Sequence, residues 1–161
     1  MKTPHFEIRR MWGEWTQVAK SSNAFPDLPT DCSLFLLMDA QDERGFEVIY
    51  ECKDKEVTFW AKQIPGTKDS FELTPEDSWF PDYNTIECKV LDTNYQASAV
   101  IECSRKVLKV FTTSYQWIFT KLLKPGNHVV HKAIEVLMTK TGLDKKDLVF
   151  NERILARNFS F

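Results

Sequence analysis

The sequence predicts an all-β protein: an eight-stranded antiparallel up-and-down β-barrel with a C-terminal α-helix packed against its outside. Short runs rich in β-branched and aromatic residues alternate with turn residues, a pattern typical of a sandwich or barrel. We count eight such runs, and eight antiparallel strands can close into a barrel whose interior holds one small ligand. A single amphipathic stretch of helical period follows the last run, which predicts the helix.

Composition and charge narrow the possibilities further. The length of 161 residues fits one domain over residues 1–161, since domains most often contain about 100–150 residues. The net charge is −2 and no basic stripe is present, so we expect no nucleic-acid partner. The longest apolar run, at residues 34–38, is far below the roughly 20 residues that span a bilayer, so we expect no membrane insertion.

Five strands are predicted in the first half of the chain, at residues 12–20, 32–39, 46–52, 56–62 and 70–73. Segments that contain Gly, Pro, Asn, Asp or Ser separate them, at residues 21–29, 42–45, 53–55 and 65–66. The third and fourth strands alternate clearly. Phe46, Val48 and Tyr50 share one face of the third, and Phe59 and Trp60 lie on opposite faces of the fourth.

The second half supplies three more strands, the helix and a short ninth strand. After an irregular aromatic stretch, a hairpin is predicted at residues 84–91 and 97–103, and the last long strand lies between residues 107 and 121. Asn127 is expected to cap the helix and Gly142 to end it. A further short strand is expected at residues 148–151.

Two short motifs and one lysine resemble the lipocalin family. Residues 6–20, which contain Gly13-Glu14-Trp15, resemble the family's opening, where a Phe in a helical turn precedes Gly-x-Trp. Thr93-Asn94-Tyr95 resembles the family's Thr-Asp-Tyr turn, with Asn in place of Asp. Lys121 stands where the family has an Arg late in the last strand. The segment after the helix also fits, so the resemblance covers nearly the whole chain.

The resemblance implies roles for these residues at the closed end of the barrel. Trp15 is expected to seal that end and Lys121 to lie over its ring. A lysine can supply the cation but not the forked hydrogen bonds of arginine, so we expect a less rigidly bonded end than in most relatives. The barrel-closing set implied in this way is Gly13, Trp15, Thr93, Asn94, Tyr95 and Lys121.

The resemblance also implies a function. It indicates a secreted, extracellular, non-enzymatic carrier of a small hydrophobic ligand, of the fatty acid, retinoid, odorant or tetrapyrrole class, which needs no cofactor. A cell-surface receptor is a further candidate partner, and the protein is expected to be a monomer or weak dimer. The residues at the N-terminus have no signal-peptide pattern, so we expect either a mature chain preceded by an added Met or a cytosolic protein.

The candidate ligand-binding residues are large apolar or aromatic side chains of the predicted strands and of the irregular stretch. They are Phe35, Leu37, Val48, Tyr50, Phe59, Trp60, Trp79, Tyr115 and Trp117. Burial of apolar ligand surface would drive binding, at about 25 cal/mol per Å². Alternatively these side chains fill the barrel, and the outer surface binds another protein.

Four cysteines occur, at positions 32, 52, 88 and 103. No pair has the Cys-x-x-Cys spacing of a zinc site, so we expect no metal. They are either buried thiols or disulfides, and three full pairings are possible. Cys88 and Cys103 lie on the two strands of the predicted hairpin and could approach each other. The family's common bridge would join Cys52 to a cysteine near Arg157, where this chain has none.

Two alternatives concern reactive or metal-binding side chains. Cys32 lies where the resemblance to lipocalin-type prostaglandin D synthase would place a catalytic cysteine, so an isomerase that uses Cys32 is the alternative to a carrier. The neighbouring Asp31 would raise the pKa of that thiol rather than lower it, which disfavours this alternative. His128 and His131 stand three residues apart on the predicted helix, either as half of a metal site or as solvated surface side chains.

Overall fold

The computed structural model describes residues 8–38, 45–76, 85–107, 111–121 and 125–155. Within these residues the strands are β1 (Gly13–Ser21), β2 (Cys32–Met38), β3 (Gly45–Cys52), β4 (Lys55–Gln63), β5 (Ser70–Pro75), β6 (Ile86–Thr93), β7 (Ser98–Val107), β8 (Phe111–Thr120) and β9 (Leu148–Phe150). The helices are a 3-10 helix at Ile8–Met11, α1 (Asn127–Thr141), a 3-10 helix at Lys145–Asp147 and α2 (Glu152–Leu155). No helix in these ranges is both long and apolar enough to cross a membrane.

Eight of the strands close into the predicted barrel. Each strand from β2 to β7 pairs antiparallel with the next one along the chain, and β1 pairs with both β8 and β2, which closes the ring. The ninth strand predicted after the helix is also present, and it pairs with residues 19–21 of β1. Among the described residues, each of these eight strands has a paired neighbour on both sides, so closure removes the edges that another chain could extend. The predicted fold class is therefore confirmed.

Two boundaries differ from the sequence prediction. Val107 belongs to the end of β7, and β8 begins only at Phe111. Asn127 does not cap α1: it is the first helical residue, and Gly126 occupies the N-cap position without a side chain that could bond. The predicted stop is confirmed, since Gly142 has φ 77° and its N–H donates to the carbonyl of Met138.

Side chains on the two faces of β8 belong to different apolar clusters. Trp117 and Phe119 point into the barrel, whereas Ile118 lies on the outside beneath α1. The helix contributes Val130, Ala133, Ile134 and Leu137 to this outer cluster, all of them buried. The helix therefore packs outside the barrel as predicted, and it leaves the barrel interior free for a separate site.

A bulge in β1 changes which side chains face inward. The pairing with β8 shifts between Gln17 and Ala19, so that Val18 and Ala19 both join the outer cluster beneath α1. Gln17 and Lys20, on either side of them, are buried polar residues that bond to interior or loop groups. One strand thus supplies the barrel with two polar side chains without exposing its apolar positions.

Candidate functional site

An apolar cavity of about 90 Å³ lies inside the barrel. Side chains from the first 3-10 helix, from one loop and from β2 to β8 line it. They are Ile8, Met11, Phe25, Leu34, Leu36, Phe46, Val48, Tyr50, Phe59, Phe71, Leu73, Ile86, Cys88, Val90, Ile101, Cys103, Trp117 and Phe119. Apart from the Tyr50 hydroxyl and the Trp117 indole N–H, these side chains carry no hydrogen-bonding group, and none is charged.

Four of the predicted ligand-binding residues lie in this lining: Val48, Tyr50, Phe59 and Trp117. Phe35 and Leu37 do not, and their predicted placement is corrected. In β2 the residues that face inward are Leu34 and Leu36, with Leu34 paired to the buried Trp15. Because successive side chains of a strand point to opposite faces, Phe35 and Leu37 point outward, and Leu37 is 42% exposed.

The remaining three predicted cavity residues have other positions. Trp60 lies on the outer face of β4, and its ring packs against the backbone of Gly45. The contact is so close that a Cβ atom on residue 45 would lie 2.3 Å from the ring. Tyr115 packs on the interior cluster, with its ring centroid 6.3 Å from that of Trp117, but it does not line the cavity. Trp79 lies outside the described residues.

Phe25 is a lining residue that the sequence interpretation missed. It belongs to the loop at residues 22–31, which joins the end of β1 to the start of β2. Its ring lies 5.6 Å from that of Tyr50 and 6.3 Å from that of Trp117, between centroids. Its φ of 42° is in the left-handed region, which bulky residues seldom adopt. The loop therefore inserts an aromatic ring into the end of the barrel opposite the first 3-10 helix.

A buried lysine fastens this loop. Lys20 is 2% exposed, and its ammonium group donates to the carbonyl of Phe25 at 2.9 Å and to that of Leu28 at 3.5 Å. Burial lowers the pKa of Lys20, because removal from water penalises its charged form. Lys20 does not line the cavity. Its ammonium group instead holds the loop that contains Phe25, through hydrogen bonds to backbone carbonyls.

Tyr50 connects the cavity to a short chain of hydrogen bonds. Its hydroxyl donates to Oε1 of Gln17, and the amide of Gln17 donates to the carbonyl of Thr30 at 2.9 Å. Burial raises the pKa of Tyr50 to about 12, although the nearby indole N–H of Trp117 and the Gln17 side chain act in the opposite direction. The phenol is thus held protonated, in the form that donates to Gln17.

The raised pKa of Tyr50 predicts a loss of stability at high pH. A proton held more tightly in the folded state contributes stability that is complete below pH 10 and falls as the pH approaches 12. We expect this contribution to reach about 2–3 kcal/mol, since one pKa unit corresponds to about 1.4 kcal/mol. Urea unfolding at pH 8 and pH 11 should therefore differ more for the native protein than for Tyr50→Phe. An equal pH dependence for both proteins would contradict this prediction.

The closed end of the barrel brings together the residues that the two motifs implied. Trp15 is fully buried, and its indole N–H donates to the carbonyl of Met11 at 2.9 Å. The Lys121 ammonium lies 5.1 Å from the Trp15 ring centroid and donates to the carbonyl of Trp12 at 3.2 Å. Gly13, which follows Trp12 in the chain, has φ 110°, a conformation that favours glycine.

The turn at Thr93-Asn94-Tyr95 is held by its own side chains. Asn94 Oδ1 accepts hydrogen bonds from three backbone N–H groups, at residues 96–98. Thr93 Oγ1 donates to the carbonyl of Ser98 and accepts from the N–H of Tyr95. The backbone of Tyr95 has φ 66°, in the left-handed region. The Arg10 guanidinium carbon lies 4.1 Å from the centroid of the Tyr95 ring, so the turn contacts the first 3-10 helix.

All four cysteines form disulfides, in the pairs Cys32–Cys52 and Cys88–Cys103. Both pairs join residues that stand directly opposite each other on neighbouring strands. The approach of Cys88 to Cys103 across the hairpin is thus observed. The isomerase alternative loses its nucleophile, because Cys32 is bonded to Cys52 and cannot form the thiolate that such chemistry requires.

No group that resembles a metal site is present among the described residues. His128 and His131 are both exposed on α1. Neither lines the cavity.

Solved structures with the same architecture include H1 crustacyanin from the lobster Homarus americanus, which is 16% identical with a TM-score of 0.68 over 92% of this chain and 78% of that one. A deswapped triple mutant of bovine odorant-binding protein is 17% identical, with a TM-score of 0.61 over 88% and 93%. The siderocalin Ex-FABP is 16% identical, with a TM-score of 0.62 over 88% and 89%. No protein-family model and no curated protein sequence matches the chain.

These similar proteins are lipocalins, so the fold that the two motifs predicted is confirmed. At 15–17% identity the likeness extends to the fold and not to the ligand. The ligand must therefore be argued from the cavity of this chain.

Proposed function

We propose that this protein binds and carries a small hydrophobic molecule inside its barrel. The observation that carries the proposal is the cavity inside the barrel, whose described lining is made of apolar and aromatic side chains. Burial of apolar ligand surface against such walls supplies about 25 cal/mol per Å². The similar proteins support the same class of function, since one is named for binding odorants and another is described as having dual ligand specificities.

The size of the cavity favours the smallest of the candidate ligand classes. Pockets for drug-sized ligands measure about 300–1,000 Å³, and an engineered apolar cavity of about 150 Å³ accepts benzene. A cavity of about 90 Å³ suits an odorant-sized molecule better than a fatty acid, retinoid or tetrapyrrole.

We also propose that the protein is secreted and acts without catalysis. Two disulfides favour a secreted, extracellular protein, because such bonds persist in oxidising compartments. A role without catalysis is favoured because Cys32, the candidate nucleophile, is bonded to Cys52. We further propose that residues 1–161 act as one domain, as a monomer or weak dimer, and that a cell-surface receptor is a candidate partner.

Binding of small apolar compounds tests this function. We expect toluene and methylenecyclohexane to quench the native tryptophan fluorescence saturably, and palmitate and retinol to bind at least tenfold more weakly. Val48→Phe places extra volume in the cavity and should weaken toluene binding at least tenfold. Ile49→Phe adds volume at the next position, which faces the opposite side of β3, and serves as the matched control.

Two results would contradict the proposed function. The first is a folded protein that binds none of these compounds. The second is toluene binding that Val48→Phe and Ile49→Phe weaken equally, which would place the site outside the barrel. Circular dichroism of both variants establishes that they are folded before binding is compared.

A further inference from the structure

The outer faces of β2, β3 and β4 carry four apolar side chains at neighbouring positions. Phe35 in β2 is paired directly with Ile49 in β3. Leu37 in β2 and Trp60 in β4 stand diagonally next to Ile49. Directly opposite and diagonal positions of adjacent strands are within reach of large side chains. These four residues, Phe35, Leu37, Ile49 and Trp60, are called the outer patch below.

The outer patch is accessible to solvent. Leu37 is 42% exposed, and within the described ranges it is the only large apolar side chain that is so exposed. The other three members are partly exposed. Helix α1 packs on β6, β7 and β8, so it covers a different part of the barrel. Adjacent exposed apolar side chains with a polar rim are typical of sites that bind another macromolecule.

Trp60 is held in position before any partner binds. Its ring packs over the backbone of Gly45, and a Cβ atom at residue 45 would overlap it. Glycine is therefore required at this point of β3. An aromatic side chain that is already fixed loses little conformational entropy on binding. Tryptophan is also enriched among the few residues that supply most of the energy of protein–protein binding.

The rim of the outer patch is predominantly negative. Glu14 stands opposite Phe35, and Glu47 and Glu51 precede and follow Ile49 on the same face of β3. Lys62 is the only cation that the described residues of β2, β3 and β4 direct outward, and it stands opposite a carboxylate of β5. The patch thus has an apolar centre and a rim of carboxylates.

We infer that the outer patch is a docking site for another protein, whose contact segment presents apolar side chains flanked by lysine or arginine. Complementary charge of this kind speeds association and excludes wrong partners. A second copy of this chain is disfavoured, because a two-fold contact brings the same surface of both copies together and would place Glu47 and Glu51 against their equivalents. The inference goes beyond the proposed carrier function and does not depend on a ligand in the cavity.

Three capped peptides of equal length test this inference with ¹⁵N-labelled protein. Lys-Lys-Leu-Phe-Leu-Lys-Lys has the inferred chemistry, Glu-Glu-Leu-Phe-Leu-Glu-Glu reverses its charge, and Lys-Lys-Ser-Gly-Ser-Lys-Lys lacks the apolar centre. We expect the first peptide, at millimolar concentration, to shift the indole resonance of Trp60 and the amide resonances of Leu37 and Ile49. The other two should bind at least about tenfold more weakly.

Substitutions on the outer face separate the two contributions. Glu47→Lys should weaken binding of the first peptide by about five- to tenfold, because an attraction becomes a repulsion. Glu87→Lys makes the same change on β6, away from the patch, and should weaken it less than about twofold. Leu37→Ser removes exposed apolar surface and should weaken it at least about fivefold. Circular dichroism establishes that each variant is folded.

Three results would overturn the inference. The first is equal binding of the basic and the acidic apolar peptides. The second is that millimolar basic peptide leaves the resonances of the outer patch unchanged. The third is self-association in sedimentation velocity that Leu37→Ser abolishes, which would assign the patch to a second copy of the chain. Val48→Phe fills the cavity and should leave peptide binding unchanged, so the docking site and the proposed function are tested separately.

Discussion

Replacement of Trp15 with alanine is expected to lower the free energy of unfolding by about 3–5 kcal/mol, the usual cost of removing a large aromatic side chain from a core. The ring is fully buried beneath the first 3-10 helix. The substitution leaves a cavity, removes the hydrogen bond from the indole to the Met11 carbonyl and deprives the Lys121 ammonium of the ring that it covers. Urea denaturation followed by circular dichroism measures the loss.

Trp60→Ala is the matched control for this prediction. It makes the same chemical change on a tryptophan of the outer face of β4, where the side chain is only partly buried against Gly45. Less apolar surface returns to water, so we expect a loss of about 1–2 kcal/mol. Equal losses for the two variants would contradict the expectation that Trp15 seals the closed end.

The strands whose direction of burial could be predicted are those with visible alternation. In β3 the residues Phe46, Val48 and Tyr50 share one face, and all three point into the cavity. In β2 every residue from Leu34 to Met38 is apolar, so the sequence carries no alternation that would distinguish inside from outside. The facing of that strand depends on its pairing with β1, so the sequence alone places Phe35 and Leu37 on the wrong face.

The loop end of the site could not be predicted for a different reason. Phe25 stands in a segment rich in Pro, Ser and Asn, where a single aromatic residue gives no period from which its direction could be inferred. Lys20 ends a strand and would ordinarily be solvated. It turns inward only because the bulge between Gln17 and Ala19 shifts the register of β1, and the sequence alone does not reveal that shift.

The motif residues and the cavity residues lie at different ends of the barrel. The closed end, with Trp15, Lys121 and the Thr93-Asn94-Tyr95 turn, follows the family pattern and so identifies the fold. Trp117 and Phe25, which line the cavity, lie outside that pattern at the other end of the barrel. The motifs therefore predict the barrel, whereas the size and lining of its cavity depend on residues that no motif marks.

Reduction of both disulfides is expected to cause the largest loss of stability. A cross-link restricts the unfolded chain, and for residues 15 or 20 apart the chain-entropy model gives about 3 kcal/mol per bond. The two closed segments do not overlap, so the losses should add to about 6 kcal/mol. This is comparable to the total stability of many domains, about 5–15 kcal/mol, so the reduced protein should be close to unfolding at 37 °C.

Two double variants separate these contributions: Cys32→Ala with Cys52→Ala, and Cys88→Ala with Cys103→Ala. Each should lose about 3 kcal/mol in urea unfolding, and reduction of either variant should remove about 3 kcal/mol more. The second pair also lines the cavity, so its removal should change toluene affinity, whereas removal of the first pair should not. Mass spectrometry after alkylation in denaturant provides the decisive check. Four alkylated cysteines in the unreduced protein would refute both bridges and restore Cys32 as a thiol that could react.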